Sequence, residues 1–105
     1  MTKIWLLYSI FPDREKAFSA ARALLDESLI ACANVQDGVT SLYRWQGDIR
    51  QDSETALIAK TRREKVEAAT ARLKELHPYE LPCIIAWPAH KGFAPFLRWV
   101  EKETN

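Results

Sequence analysis

Residues 4–11 read "IWLLYSIF", an unbroken apolar stretch rich in β-formers and closed by Pro12. An alternating pattern would mark a strand with one wet face, whereas a continuous run marks a strand buried on both. A second such run, "CIIAWP" at 83–88, makes the same demand near the other end of the chain. The fold must therefore cover both sides of a sheet holding these two strands.

Two helices are available for that task. Pro12 and Asp13 form a helix start, and Ala17, Ala21, Leu24, Leu25 and Ser28 fall on one stripe, which predicts a helix to about Ser28. "TRRE" at 61–64 has a capping-box pattern and leads into Val66, Ala69, Leu73 and Leu76 at helical spacing. This second helix has to stop near His77, because Pro78 cannot continue the hydrogen-bond ladder. Between the helices, β-branched and aromatic residues predict two long antiparallel strands, about 31–45 and 49–61. A tight turn at Gly47 joins them, with a bulge or bend at Gly38. A short helix over about 92–102 presents Phe93, Phe96, Leu97 and Val100 on one side.

The order β-α-β-β-α-β plus a terminal helix is an α+β, ferredoxin-like arrangement, expected to form a single domain over residues 1–105. Two helices cover one face of a four-stranded sheet, which leaves side chains such as Trp5, Tyr8 or Ile85 on a bare face. The hairpin is also long for a sheet of this size and needs something to pair with. Both features predict a homo-oligomer in which sheets pack face to face and the hairpin extends a neighbour's sheet. Trp5, Trp45, Trp87 and Trp99 then belong mostly to core and interface.

Composition narrows the partners. With 48% hydrophobic and 28% charged residues the chain has no composition suited to disorder, and a formal charge of +1 exerts no general pull on nucleic acid or anionic lipid. Aromatic residues on a ferredoxin-like sheet are a known platform for RNA bases, but the basic-glycine-aromatic signature and an adjoining basic cluster are both missing. No run approaches membrane-spanning length, and the apolar N-terminal stretch is too short for a signal peptide. A cytoplasmic protein is expected, with Cys32 and Cys83 as reduced thiols.

For chemistry, "KELHPYELPC" at 74–83 places His77 and Cys83 six positions apart. They are the candidate metal ligands, set against a plainer reading in which His77 caps a helix, favoured there by the macrodipole, and Cys83 is a small strand residue. Two histidines and two cysteines without C-x-x-C or H-x-x-x-H spacing do not make a self-contained zinc site. No nucleophile, base and orienting group converge and no glycine-rich phosphate loop is present, so no enzyme is expected. Alternation puts Ser41, Tyr43 and Trp45 on one face of the first hairpin strand; Glu54, Ala56, Ile58 and Lys60 share a face of the second. Charges within an apolar strand need partners, and Glu54, Lys60, His77 and Tyr79 are candidates for a polar network at a subunit boundary. That network is either an inter-subunit salt bridge or part of a small-ligand pocket, for which Tyr43, Trp45, Glu54, Lys60 and Tyr79 are the candidate residues.

The stretches "PDREKA", "LIACANV", "SLYRWQGDI", "ETALIAKT", "HPYELP" and "FLRWV", in this order, carry a resemblance to the CutA family of divalent-cation tolerance proteins across nearly the whole chain. The resemblance implies a homotrimer of ferredoxin-like subunits, similar in architecture to the PII signalling trimers, with the hairpin supplying inter-subunit pairing. It further implies a role in tolerance to copper and other divalent ions, cytoplasmic location, no catalysed reaction and no obligatory cofactor. Copper ligands proposed for some members are a cysteine matching Ser9 and a His-His pair matching Leu76 and His77, so only His77 is kept here. Cys83 replaces a strand acid common after the "HPYELP" motif. Two functions follow: a tolerance protein with weak copper or other divalent metal binding at His77 and Cys83, or a PII-like regulatory or scaffold trimer. The latter would bind a small ligand or partner protein in its inter-subunit clefts.

Overall fold

A computed structural model describes residues 3–105. Strand β1 (Ile4–Phe11) is followed by α1 (Arg14–Asp26), the hairpin β2 (Cys32–Trp45) and β3 (Asp48–Arg62), α2 (Val66–Leu76), β4 (Ile84–Pro88) and α3 (Ala94–Glu103). The four strands form one antiparallel sheet in the order β2-β3-β1-β4, as the ferredoxin-like reading requires. β1 is central and pairs on both edges: Leu7 stands opposite Ala59 of β3 and Ala86 of β4.

One face of the sheet carries the core. Leu7, Phe11, Leu57 and Ala59 are fully buried against Ala17, Ala20, Ala21 and Leu24 of α1 and Ala69 and Leu73 of α2. Alanine on the helices lets their backbones come close to the sheet, and leucine and phenylalanine fill what remains. The helix start at Asp13 is as expected, its carboxylate accepting the Lys16 N–H at 2.9 Å. The far end differs: Leu25 is 39% exposed and Ser28 lies beyond the helix with φ of 57°, so Ala20, not Leu25, completes the buried stripe.

The capping box at 61–64 does not form. β3 runs on to Arg62, Thr61 is fully buried in it, and the Thr61 hydroxyl donates to the Leu29 carbonyl at 2.7 Å. A buried hydroxyl that has found a carbonyl on a crossing segment is held more firmly than an exposed cap, so the helix begins after a 3-10 turn at Arg63–Lys65 with no side-chain cap. α3 also differs from expectation: Val100 is buried, but Phe93 precedes the helix and is 75% exposed, while Phe96 stacks on Trp99 with ring centroids 5.7 Å apart.

The opposite face is covered at one end by α3, where Arg62 of β3 donates to Thr104 and to the Glu101 carbonyl and Ile4 is buried, and it is open over the rest. Register puts Tyr8 between Ile58 and Ile85, and Leu6 between Lys60 and Trp87, all on the side away from α1 and α2. Ile85 and Trp87 are exposed. Trp5 is not among them: it alternates with Tyr8 and stands opposite Thr61 and Pro88, on the helix-covered face.

The hairpin projects from this sheet and gives the molecule a longest dimension of 44 Å. Its turn uses Gln46 (φ 49°) and Gly47 (φ 87°), the two left-handed residues that match strand twist in a two-residue connection. At its root Asp37 and Gly38 (φ 74°) together face Thr55, a bulge pinned by a 3.2 Å hydrogen bond from the Thr55 hydroxyl to Asp37. β1 ends opposite Thr55, so residues 48–54 of β3 pair with β2 alone and keep one bare edge.

Leu7→Ala tests the central position of β1. With both cross-strand neighbours already alanine, collapse into the space is poor, and the urea midpoint should report a loss of about 2–5 kcal/mol. A loss below about 1 kcal/mol would mean that this contact layer is not the core.

Candidate functional site

The bulge and turn set the hairpin register, and the register assembles one wall of a groove. Tyr43 stands opposite Arg50, Ser41 opposite Asp52, and Val39 opposite Glu54, all on the open-face side of the sheet. The second wall is the connection from α2 to β4, which brings Tyr79, Glu80, Leu81 and Cys83 alongside Ile10 and Pro12. Together they enclose about 760 Å³.

His77 holds that connection in place. α2 stops where Pro78 requires it, and His77 turns to extended backbone (φ −80°, ψ 133°) while its N–H still reaches the Lys74 carbonyl. Its ring stacks on Phe11 with centroids 4.1 Å apart. Nε2 lies 2.8 Å from the Ile10 carbonyl, and Nδ1 accepts the Tyr79 N–H at 3.2 Å. A carbonyl needs a donor and an N–H needs an acceptor, so the ring is the neutral Nε2–H tautomer. Burial lowers its pKa, opposed in part by the bond to Ile10 and by the Glu54 charge. The ring thus faces inward and uncharged, and does not serve the helix dipole as expected from the sequence; only its backbone caps the helix.

Downstream, the Tyr79 hydroxyl donates to Glu54 Oε2 at 2.5 Å, which ties the connection to the hairpin root. Burial, then this bond and the Glu54 charge, push the Tyr79 phenol well above its ordinary range. The Tyr43 hydroxyl likewise donates to Asp52, and that bond is the main cause of its raised pKa. Cys83 is half-buried; burial and the Glu54 charge raise its thiol pKa, so it stays protonated at neutral pH. Its carbonyl accepts from the Ser9 hydroxyl at 2.7 Å.

Of the residues singled out from the sequence, Tyr43, Trp45, Glu54, Tyr79 and Cys83 line this one groove. His77 stands behind it with both ring nitrogens engaged. Lys60 is elsewhere: six residues from Glu54 along β3, about 20 Å at strand rise, it donates to Asn34 and faces Cys32. The network of Glu54, His77 and Tyr79 therefore closes within one chain and leaves Lys60 out. Arg50, Asp52 and Glu80 also line the groove and went unnoticed in the sequence. Asp52 and Arg50 share the parity of Glu54, so extending the alternation toward the turn would have found them.

The donors do not fit a resident metal centre. Among the described residues no group of three or more His, Cys, Asp or Glu side chains is placed to hold an ion. His77 has no free nitrogen, and the Cys83 thiol, whose pKa burial raises, would have to give up its proton to an incoming ion.

His77 titration has a definite sign. Its pKa is depressed below the ordinary 6.5, so the stabilisation from the neutral ring is complete above that value and is lost as pH falls through the depressed one. Urea midpoints taken between about pH 7.5 and about 5 should fall more steeply for the wild type than for His77→Gln. Parallel curves would show that the ring does not titrate between the two states.

The family model described as "CutA1 divalent ion tolerance protein" matches residues 5–103. A curated relative, the divalent-cation tolerance protein CutA of Thermus thermophilus, is 41% identical over 94 residues, 90% of this chain and 91% of its own. The crystal structure of CutA from Xylella fastidiosa is 38% identical with a TM-score of 0.96, covering 99% of this chain and 100% of the other. A CutA structure from Archaeoglobus fulgidus, described as a periplasmic divalent cation tolerance protein, is 34% identical with a TM-score of 0.93, over 97% of this chain and 99% of its own.

Proposed function

The chain belongs to the CutA1 divalent ion tolerance family, and from that premise we propose that it acts as a homotrimer, of PII-like architecture, serving divalent-cation tolerance without a catalysed reaction. The bare edge at residues 48–54 of β3 carries the assembly reading. Alternate residues of this seven-residue run turn their backbone N–H and C=O groups to the unpaired side, and such an edge is a template for another chain's strand. The open sheet face supports the same conclusion, since Tyr8, Ile58, Ile85 and Trp87 form an apolar surface of the kind that a subunit interface covers.

The metal part of the role has to be weak and exchangeable. Copper or another divalent ion would meet Cys83 and the groove carboxylates, with His77 unable to help unless it gives up Ile10 or Tyr79. Cytoplasmic location is the reading that two free thiols favour, because an oxidising compartment pairs or modifies such cysteines. Among the described residues no helix is long and apolar enough to cross a membrane. The PII-like alternative, a regulatory or scaffold trimer with ligand in its clefts, draws its support from the groove itself.

Native mass spectrometry should give three chains per particle, and a monomer would overturn the assembly reading. Calorimetric titration with copper should give equally weak uptake by the wild type and His77→Ala. Tight stoichiometric binding lost in His77→Ala would restore the histidine as a ligand.

A further inference from the structure

The two ends of the sheet carry surfaces that match each other and cannot meet within one molecule. At the Phe11 end, the groove between the hairpin root and the α2–β4 connection holds Asp52, Glu54 and Glu80 against the single cation Arg50. Among the described residues none of these three carboxylates takes part in an ion pair; the pairs present use Asp13, Asp26, Glu27, Asp37 and Glu101. Tyr43, Trp45 and Leu81 stand exposed along the same walls. A partly buried carboxylate without a cation is costly, and ring faces attract cations, so this surface is complementary to a cation flanked by apolar groups. On a face that assembly covers, such a concavity describes the neighbour that fills it.

The complement stands at the Ile4 end. The segment after β4 and the start of α3 expose Phe93, Phe96 and Trp99, with Lys91 and Arg98 among them. Among the described residues neither Lys91 nor Arg98 takes part in an ion pair. No other element offers the same combination. On α1, Phe18 is exposed but Arg14, Lys16 and Arg22 of that helix are each paired, and Lys65 and Lys74 sit beside or on α2, which has no aromatic residue. The hydrogen bonds from Arg62 to Thr104 and the Glu101 carbonyl fix α3 to its own end. The groove is lined by Ile10 and Pro12, six residues or more along the chain from Ile4, about 20 Å at strand rise. The aromatic, cationic segment therefore reaches a groove only in another copy.

We infer that the segment from Lys91 to Trp99 of one copy docks in the groove of the next, its cations meeting Glu54 and Glu80 and its rings lying against Trp45 and Tyr43. Tyr79 holds Oε2 of Glu54, and Oε1, which has no hydrogen bond within the chain, is left for the neighbour. The inference rests on the assembly reading and names the surfaces that meet. A trimer needs a heterologous contact, one that joins two different surfaces of each subunit, and these two supply it.

Subunit exchange between unlabelled and isotope-labelled full-length chain, followed by native mass spectrometry, reads this contact through its dissociation rate. Lys91→Glu combined with Arg98→Glu alters two exposed side chains outside the ion pairs of the chain, and should quicken exchange at least about tenfold. Adding Glu80→Lys, also at an exposed position, restores opposite charges and should slow exchange again by about threefold or more. Phe93→Ala, at a position 75% exposed in the single chain, should quicken exchange by about three- to tenfold and serves if the charge reversals impair folding. A trimer whose exchange ignores these substitutions, or that Glu80→Lys fails to slow, removes this contact and leaves the assembly reading standing. A wild-type monomer removes both.

Discussion

β1 bonds to β3 along one edge and to β4 along the other, and it leaves neither face to water by choice of residue. Leu7 and Phe11 point to the helices; Leu6, Tyr8 and Ile10 point away from them. A strand in that position needs cover twice. α1 and α2 provide it once, which is why so much of the helix-facing layer is alanine below and leucine above. On the other side α3 covers only the end at Ile4 and Arg62, and the rest remains an apolar field bounded by Trp87 and Ile85 on β4. The backbone repeats the imbalance: β3 is longer than β1, so its distal half lacks a partner on one edge.

The same economy shapes the groove. No helix or strand was set aside for it; it lies where the hairpin leaves the sheet and the chain returns from α2. One aromatic stack, His77 on Phe11, and two ring-nitrogen hydrogen bonds fix that return. Because these bonds use up the imidazole, the residue that looked most like a metal ligand is a structural wedge, and the chemical interest passes to the carboxylates and rings it positions.

Strand positions, the turn at Gly47, the bulge at Gly38 and the stop before Pro78 were legible because each depends on local geometry that few residue types satisfy. The failures have a common cause. Thr61 matched a cap pattern, Leu25 a helical stripe, and Trp5 an uncovered face, yet each was decided by which side of an element met the core, and tertiary packing sets that. The groove was half legible for the same reason. Parity along one strand grouped Glu54 with its neighbours, but it also kept Lys60 in the group, since alternation tells which face a residue shares and nothing of how far along it lies.

Gly38 behaves like a frameshift in the sheet. Upstream of it Cys32, Asn34 and Gln36 point to the open face; downstream the odd-numbered Val39, Ser41, Tyr43 and Trp45 take over, because two residues of β2 sit against one of β3. Delete that extra residue's slot while keeping the rest of the register, and Leu42 and Arg44 would look into the groove, giving it an aliphatic chain and a guanidinium in place of a phenol and an indole. The polarity of the groove is thus written by a glycine whose missing side chain touches nothing in it, a reminder that ligand preference in such a sheet can change through backbone counting alone.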